Sequence, residues 1–146
     1  MERFATRSRD HYKGTNINIE VKIGLHDLTP ARIATLYRRA PLQRPVEDHT
    51  ALWRMFEQSS LVVTAWVQGR LVGLARVLSD GVLNTYICDF AVEPDVQGLG
   101  IGRMLLEKVR ENFKGTQIYL YDAKTTSRFY AKMGFLNMKE GLWKWQ

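Results

Sequence analysis

The stretch Val92-Glu93-Pro94-Asp95-Val96-Gln97-Gly98-Leu99-Gly100-Ile101-Gly102-Arg103 decides how the whole chain is read. It stands between a long, mostly apolar run, Val82 to Val92, and a segment whose apolar residues Ile101, Leu105, Val109 and Phe113 are spaced by four. That pattern predicts a strand, a glycine-rich turn and an amphipathic helix opening around Leu99. Gly115 is well placed to stop the helix. Such a turn can cradle phosphate, because glycines let the main chain approach an anion closely. The first amides of the helix and its dipole then favour negative charge. Two familiar phosphate loops are excluded. There is no Gly-Lys-Ser/Thr ending of the Walker type. A dinucleotide fingerprint counted from Gly98-x-Gly100 would need glycine where Arg103 stands, and the chain has Gly102 instead.

Upstream, Ile17, Ile19, Val21 and Ile23 alternate with polar residues and predict a half-buried strand. Thr29-Pro30 has the form of a helix N-cap followed by proline at the first helical position. Ile33, Leu36, Tyr37 and Ala40 continue at helical spacing, and Pro41 and Pro45 bound a short connection. A second helix is predicted from about Asp48 to Gln58. Leu61 to Val67 and Arg70 to Leu78 form a hairpin around Gln68-Gly69. Ser79-Asp80-Gly81 then turns the chain into the long apolar run. Downstream, Thr116 to Tyr121 is a strand, and Thr126, Phe129, Tyr130 and Met133 mark a helix that Gly134 ends. Phe135 to Met138 and Leu142 to Trp145 are expected to pair as final strands, with Trp143 and Trp145 on one face. They are also able to pair across a homodimer. Residues 1–15, polar and carrying Arg3, Arg7, Arg9 and Lys13, are expected to be a flexible extension to a domain over residues 16–146.

The composition narrows the function classes. The chain has 146 residues, 45% of them hydrophobic and 25% charged, which suits one globular domain. No apolar run is long enough to cross a membrane. The single cysteine, Cys88, and three scattered histidines provide neither a disulfide framework nor zinc-type spacing, so no metal is expected. A reducing cytoplasm is the expected compartment. Net charge +6 points to a polyanionic partner, for which nucleic acid and a phosphorylated cofactor both qualify.

Gln97-x-x-Gly100-x-Gly102, preceded by Val92-x-Pro94, resembles the pyrophosphate-binding motif of the GNAT superfamily of N-acetyltransferases. The downstream Phe129-Tyr130-x-x-x-Gly134-Phe135 strengthens the likeness, which covers about residues 60 to 136. The resemblance implies a single α/β domain with a central mixed, mostly antiparallel sheet flanked by about four helices. It implies acetyl-CoA as cosubstrate, held by the segment Gln97, Gly98, Leu99, Gly100, Ile101, Gly102 and Arg103. There, amides of Gly98, Gly100, Gly102 and Arg103 would meet the pyrophosphate. Main-chain groups of Phe90, Ala91 and Val92 would pair with the cofactor arm like an added strand. A polyanionic cosubstrate is a sufficient cause for net +6, so no nucleic-acid partner is required. One departure is Ala123, where many relatives carry asparagine; Lys124, Thr125 and Arg128 are the nearby substitutes.

Acetyl transfer to an amine needs an unprotonated nucleophile, a donor for the oxyanion and an acid for the departing thiolate. By the resemblance, Tyr130 lies beside the cofactor sulfur as that acid; packing in the core with Phe129 and Met133 is its alternative role. Asp89 is the one charged residue of the central strand and must be paired, protonated or functional. With Ser79-Asp80-Gly81 as the turn, residue 78 faces 82 and Asp89 faces about residue 71. Arg76 then falls near Asn84, ~16 Å away along the strand. Asp89 is thereby expected to be free to hold or deprotonate a substrate ammonium, with a structural carboxylate as the alternative. Arg76, Trp53 and Glu47 are candidate substrate contacts, alongside Arg44 and His49. Cys88 as an acetylated nucleophile competes with Cys88 as a small core thiol.

The resulting expectation is an N-acetyltransferase working by direct attack of a primary amine in a ternary complex. The acceptor is a small molecule or a protein or peptide amine, and any preference for cationic amines must come from carboxylates such as Asp89 or Glu47. The competing readings are a catalytically silent coenzyme A-binding or regulatory domain and a basic nucleic-acid-binding module. Basic residues mixed with acids along the chain weigh against the last of these.

Overall fold

Thr29 and Asp48 open the first two helices as their side chains require. Thr29 Oγ1 accepts the Arg32 amide at 3.2 Å and Asp48 Oδ1 the Ala51 amide at 3.0 Å. In the computed structural model, which describes residues 16–122, 127–139, 141 and 144–146, these helices are α1 (Pro30–Arg39) and α2 (His49–Glu57). They follow strand β1 (Ile19–Ile23). Gln68 and Gly69, both at positive φ, then close the hairpin of β2 (Leu61–Val67) and β3 (Arg70–Ser79). Next come β4 (Asn84–Val92), α3 (Ile101–Asn112), β5 (Gln117–Leu120) and α4 (Ser127–Lys132).

The five strands form one sheet in the order β1-β2-β3-β4-β5, antiparallel except for the parallel β4–β5 pair. Helices α1 and α2 cover one face with Ile33, Leu36, Tyr37, Leu52 and Phe56, all packed with Val62, Trp66 and Leu74. Helices α3 and α4 cover the other with Ile101, Leu105, Val109 and Tyr130, joined by Met133 just past α4, against Val63, Ala75 and Val77. The sheet is therefore buried on both sides, which explains why β2 and β3 read as near-continuous apolar runs rather than alternating ones.

Two expectations are corrected. Strand β4 begins at Asn84, not Val82, because Asp80 Oδ1 accepts the amides of Val82, Leu83 and Asn84 and so makes a wider loop. The segment from Phe135 to Met138 is not a strand. Its start is spent on closing α4: Gly134 takes φ +91°, and the Phe135 amide donates back to the Tyr130 carbonyl at 3.0 Å. Leu136 and Met138 are exposed, and so is Trp145. The expectations for residues 1–15, Ala123 to Thr126, Leu142 and Trp143 lie outside the described residues.

Candidate active site

The glycine-rich turn leaves β4 through a 3-10 turn, Pro94–Val96, and enters α3 through two residues in the left-handed region, Gly98 at φ +87° and Gly100 at φ +84°. Gly100 is the N-cap and has no side chain to satisfy the first amides of the helix, and no acidic residue lies in the first turn. The amides of Ile101, Gly102 and Arg103 therefore have no partner within the helix. A Cβ on Gly100 would meet nothing within 4 Å, so the turn is open on that side. Gly102 is needed for another reason: a Cβ there would stand 2.9 Å from the ring of Phe129. The missing side chain lets α4 close against the first turn of α3.

The other half of the site is a strand edge. Strand β5 pairs with β4 only over Asn84–Ile87, whereas β3 pairs with β4 as far as Val92. Among the described residues, no strand covers the β5 side of β4 from Cys88 to Val92. Gln97 Nε2 donates to the Val92 carbonyl at 3.2 Å and braces the turn onto the end of that edge. Phe90 stacks on Phe129 at 5.8 Å between ring centroids, and Tyr130 meets Phe90, Phe129 and Phe135 edge-on at 6.0, 5.3 and 5.8 Å. The cradle, the open edge and Tyr130 are thus joined through Phe129, which touches all three.

Asp89 is not free, and the distance expected between it and Arg76 is wrong. The wider loop pairs Ser79 with Thr85, and a bulge between Arg76 and Val77 adds Cys88 to β4, which sets Arg76 opposite Asp89. Arg76 Nε donates to Asp89 Oδ2 at 2.7 Å, as does the Tyr37 hydroxyl. Arg44 Nε donates to Oδ1 at 2.7 Å, and Arg44 Nη2 reaches the Cys88 carbonyl at 3.0 Å. Burial opposes ionisation of Asp89, but Arg76, then Tyr37 and Arg44, outweigh it and hold its carboxyl below the usual range. A carboxylate so engaged is a poor base. The same burial, with Asp89 as neighbour and donated-to partner, pushes the Tyr37 phenol well up, keeping it a neutral donor.

A second acidic group underlies the turn. Glu93, fully buried, pairs with Arg39 Nε at 3.1 Å and Arg70 Nη1 at 2.6 Å, and Arg39 also reaches Asp95. Burial, and then the adjacent Asp95, raise the Glu93 carboxyl to about 7. Tyr37, Arg39 and Arg70 were missed in the sequence, as was Arg44 as the partner of Asp89. Two acids in an apolar strand and its exit demand cations, but only the register shows which.

The remaining candidates lie elsewhere. Glu47 is exposed and pairs with Arg38 at 2.8 Å, and Trp53 lines a surface cleft with Pro30, His49 and Glu57. Neither bonds Asp89. Burial raises the Cys88 thiol, which disfavours the thiolate that a nucleophile requires. Arg128 is exposed.

A family profile, the acetyltransferase (GNAT) domain, matches residues 26–142. The chain belongs to the GNAT family. This GNAT domain is 35% identical over 97 residues to serotonin N-acetyltransferase 2, chloroplastic, of Oryza sativa, a match covering 64% of this chain and 46% of the rice protein. The chain thus spans about half the length of that relative. Among solved structures, a GNAT-family acetyltransferase of Streptococcus pneumoniae superposes with a TM-score of 0.72 at 24% identity, covering 87% of this chain and 98% of the other. The PaiA N-acetyltransferase of Thermoplasma acidophilum, in complex with coenzyme A, superposes with a TM-score of 0.66 at 14% identity over 85% and 93% of the two chains. These two likenesses establish the GNAT fold of the domain.

Proposed function

We propose that this domain transfers the acetyl group of acetyl-CoA to the nitrogen of a primary amine by direct attack in a ternary complex. One observation carries the reading: the uncapped start of α3, open at Gly100, is continuous with an uncovered edge of β4 and with Tyr130. The amides of Gly98 to Arg103 hold the pyrophosphate, and the main chain of Phe90 to Val92 pairs with the amide-rich arm. The thioester then lies at the far end of the open edge, at the Cys88 bulge. The bulge takes Cys88 out of the β3 register, and its single backbone amide is the donor offered to the oxyanion.

The amine nitrogen forms a bond to the thioester carbon, the C–S bond breaks, and the thiolate takes the Tyr130 proton. The acceptor's proton leaves to water, because Asp89 is committed to its cations. Asp89 instead fixes Arg44 and the bulge. The reading is tested by mixing the protein with acetyl-CoA and a panel of amines and following thiol release and N-acetylated product by mass spectrometry. Saturable acetyl-CoA binding with amine-dependent product supports it. Binding without product from any amine would make this a silent coenzyme A-binding domain.

A further inference from the structure

The segment between α1 and α2 carries Arg44 onto the bulge, and the fold does not use all of its donors. Nε and Nη2 are taken by Asp89 and the Cys88 carbonyl, and Nη1 donates to the Gln43 carbonyl at 2.8 Å. A guanidinium has five N–H donors in one plane, so at least one on Nη1 remains. The Arg44 side chain is 30% exposed, against 11% for Arg76 and 0% for Asp89. Arg44 is therefore the member of the cluster that faces outward. Its position is set by the buried Asp89 and the Cys88 carbonyl, and the Val46 amide donates to the Arg44 carbonyl at 2.7 Å.

The charges around it do not cancel. Asp89 offsets one of the two arginines, so the group Arg44–Asp89–Arg76 carries a net positive charge. Among the described residues, the carboxylate of this cluster, Asp89, is buried between its arginines, while the exposed Glu47 faces Arg38 and Asp48 caps α2. Tyr86, on the same strand and within the electrostatic reach of Arg44 and Asp89, is a neutral phenol raised further by burial.

We propose that Arg44 selects the acceptor by receiving a carboxylate carried close to the reacting amine, so that amino-acid-like amines are favoured and polycations rejected. The proposal rests on the acetyl-transfer reading above. A fixed guanidinium edge matches a carboxylate in geometry and charge.

The test compares acceptors that share a skeleton: phenylalanine, phenylalanine amide and phenylethylamine, with the aliphatic set leucine and leucine amide, and spermidine as the polycation. kcat/KM is measured for the parent and for Arg44→Gln and Arg44→Lys, with acetyl-CoA affinity measured by calorimetry alongside. The parent is expected to favour the carboxylates over the matched amides by roughly 10- to 100-fold, the range of one charge-assisted bond. Because Arg44 also braces the bulge, overall turnover of Arg44→Gln is expected to fall, and the readout is the ratio: its carboxylate-to-amide preference should drop to near unity, and Arg44→Lys should keep part of it. A parent that prefers the amides or spermidine, or an Arg44→Gln variant that loses turnover of all acceptors equally and so keeps the parent's ratio, overturns the proposal. Failure to bind acetyl-CoA, or binding without turnover of any acceptor, overturns the acetyl-transfer reading itself, and with it this inference.

Discussion

Replacing Asp89 with asparagine tests the centre of the site, because it removes one charge and almost no volume. The carboxylate accepts from Arg76 and Tyr37 on one oxygen and from Arg44 on the other. Asparagine offers one acceptor and one donor, so either orientation sets an N–H against a guanidinium N–H. Breaking a buried ion pair costs about 3–5 kcal/mol. Arg44 is 30% exposed and can recover solvent, while Arg76 at 11% cannot. The smaller figure, about 3 kcal/mol, is therefore expected, and for a domain of this size it corresponds to a fall in Tm of roughly 6–12 °C.

The pH dependence of that gap has a definite sign. A carboxyl whose folded pKa is depressed contributes stability above its unfolded value and loses it as pH falls through the folded one. The gap between parent and Asp89→Asn should thus be constant from about pH 5 to 8 and close below about pH 4. Thermal unfolding followed by circular dichroism across that range measures it. A variant within 2 °C of the parent at pH 7, or a gap that widens in acid, would refute the pairing argument.

Tyr130→Phe should leave folding and acetyl-CoA affinity nearly unchanged and lower kcat by roughly 10²- to 10⁴-fold, since only the thiolate's proton is lost; a kcat within a few-fold of the parent in steady-state kinetics would return Tyr130 to a packing role. Gly100→Ala adds a methyl on the open side of the turn at a positive φ, costing about 1–2 kcal/mol in the fold, and should weaken acetyl-CoA binding at least about tenfold by the loss of the close amide approach. Calorimetric titration showing unchanged affinity would remove the phosphate cradle from Gly100. Glu93 is raised from its ordinary 4.5 to about 7, so the folded state holds a proton that the unfolded chain releases. Stability of the parent should fall as pH rises from about 4.5 to about 7 and then level off. Urea unfolding of Glu93→Gln should lack that slope, and an identical slope in both proteins would contradict the raised carboxyl.

The turn and its neighbours were legible because their signals are local. Val92 to Arg103 reads as a turn between a strand and a helix, Thr29-Pro30 as a helix start, and Gln68-Gly69 as a hairpin, and each holds in the fold. What failed was register. The sequence reads as a three-residue loop after β3, but Asp80 gathers three amides and lengthens it, and the Cys88 bulge then shifts the pairing once more. Together these small offsets moved Arg76 from ~16 Å away to direct contact with Asp89, and a bulge leaves no mark in composition or spacing. The contact between Gly102 and Phe129 was hidden for a similar reason, since it joins residues of two different helices. Tyr130 could be placed on an apolar helix face from its spacing, but its meeting with Phe90 depends on how far β4 outruns β5.

The central claim is that acetyl-CoA lies on the amides of the α3 turn and along the uncovered edge of β4. Amide proton–nitrogen correlation spectra of the labelled protein, recorded during titration with acetyl-CoA, test it at residue level. The account predicts saturable shifts concentrated at Gly98, Gly100, Gly102 and Arg103 and at Phe90, Ala91 and Val92, with α2 unaffected. Saturable shifts centred instead on the cleft beside Trp53 and His49, or no shifts at millimolar acetyl-CoA, would contradict it.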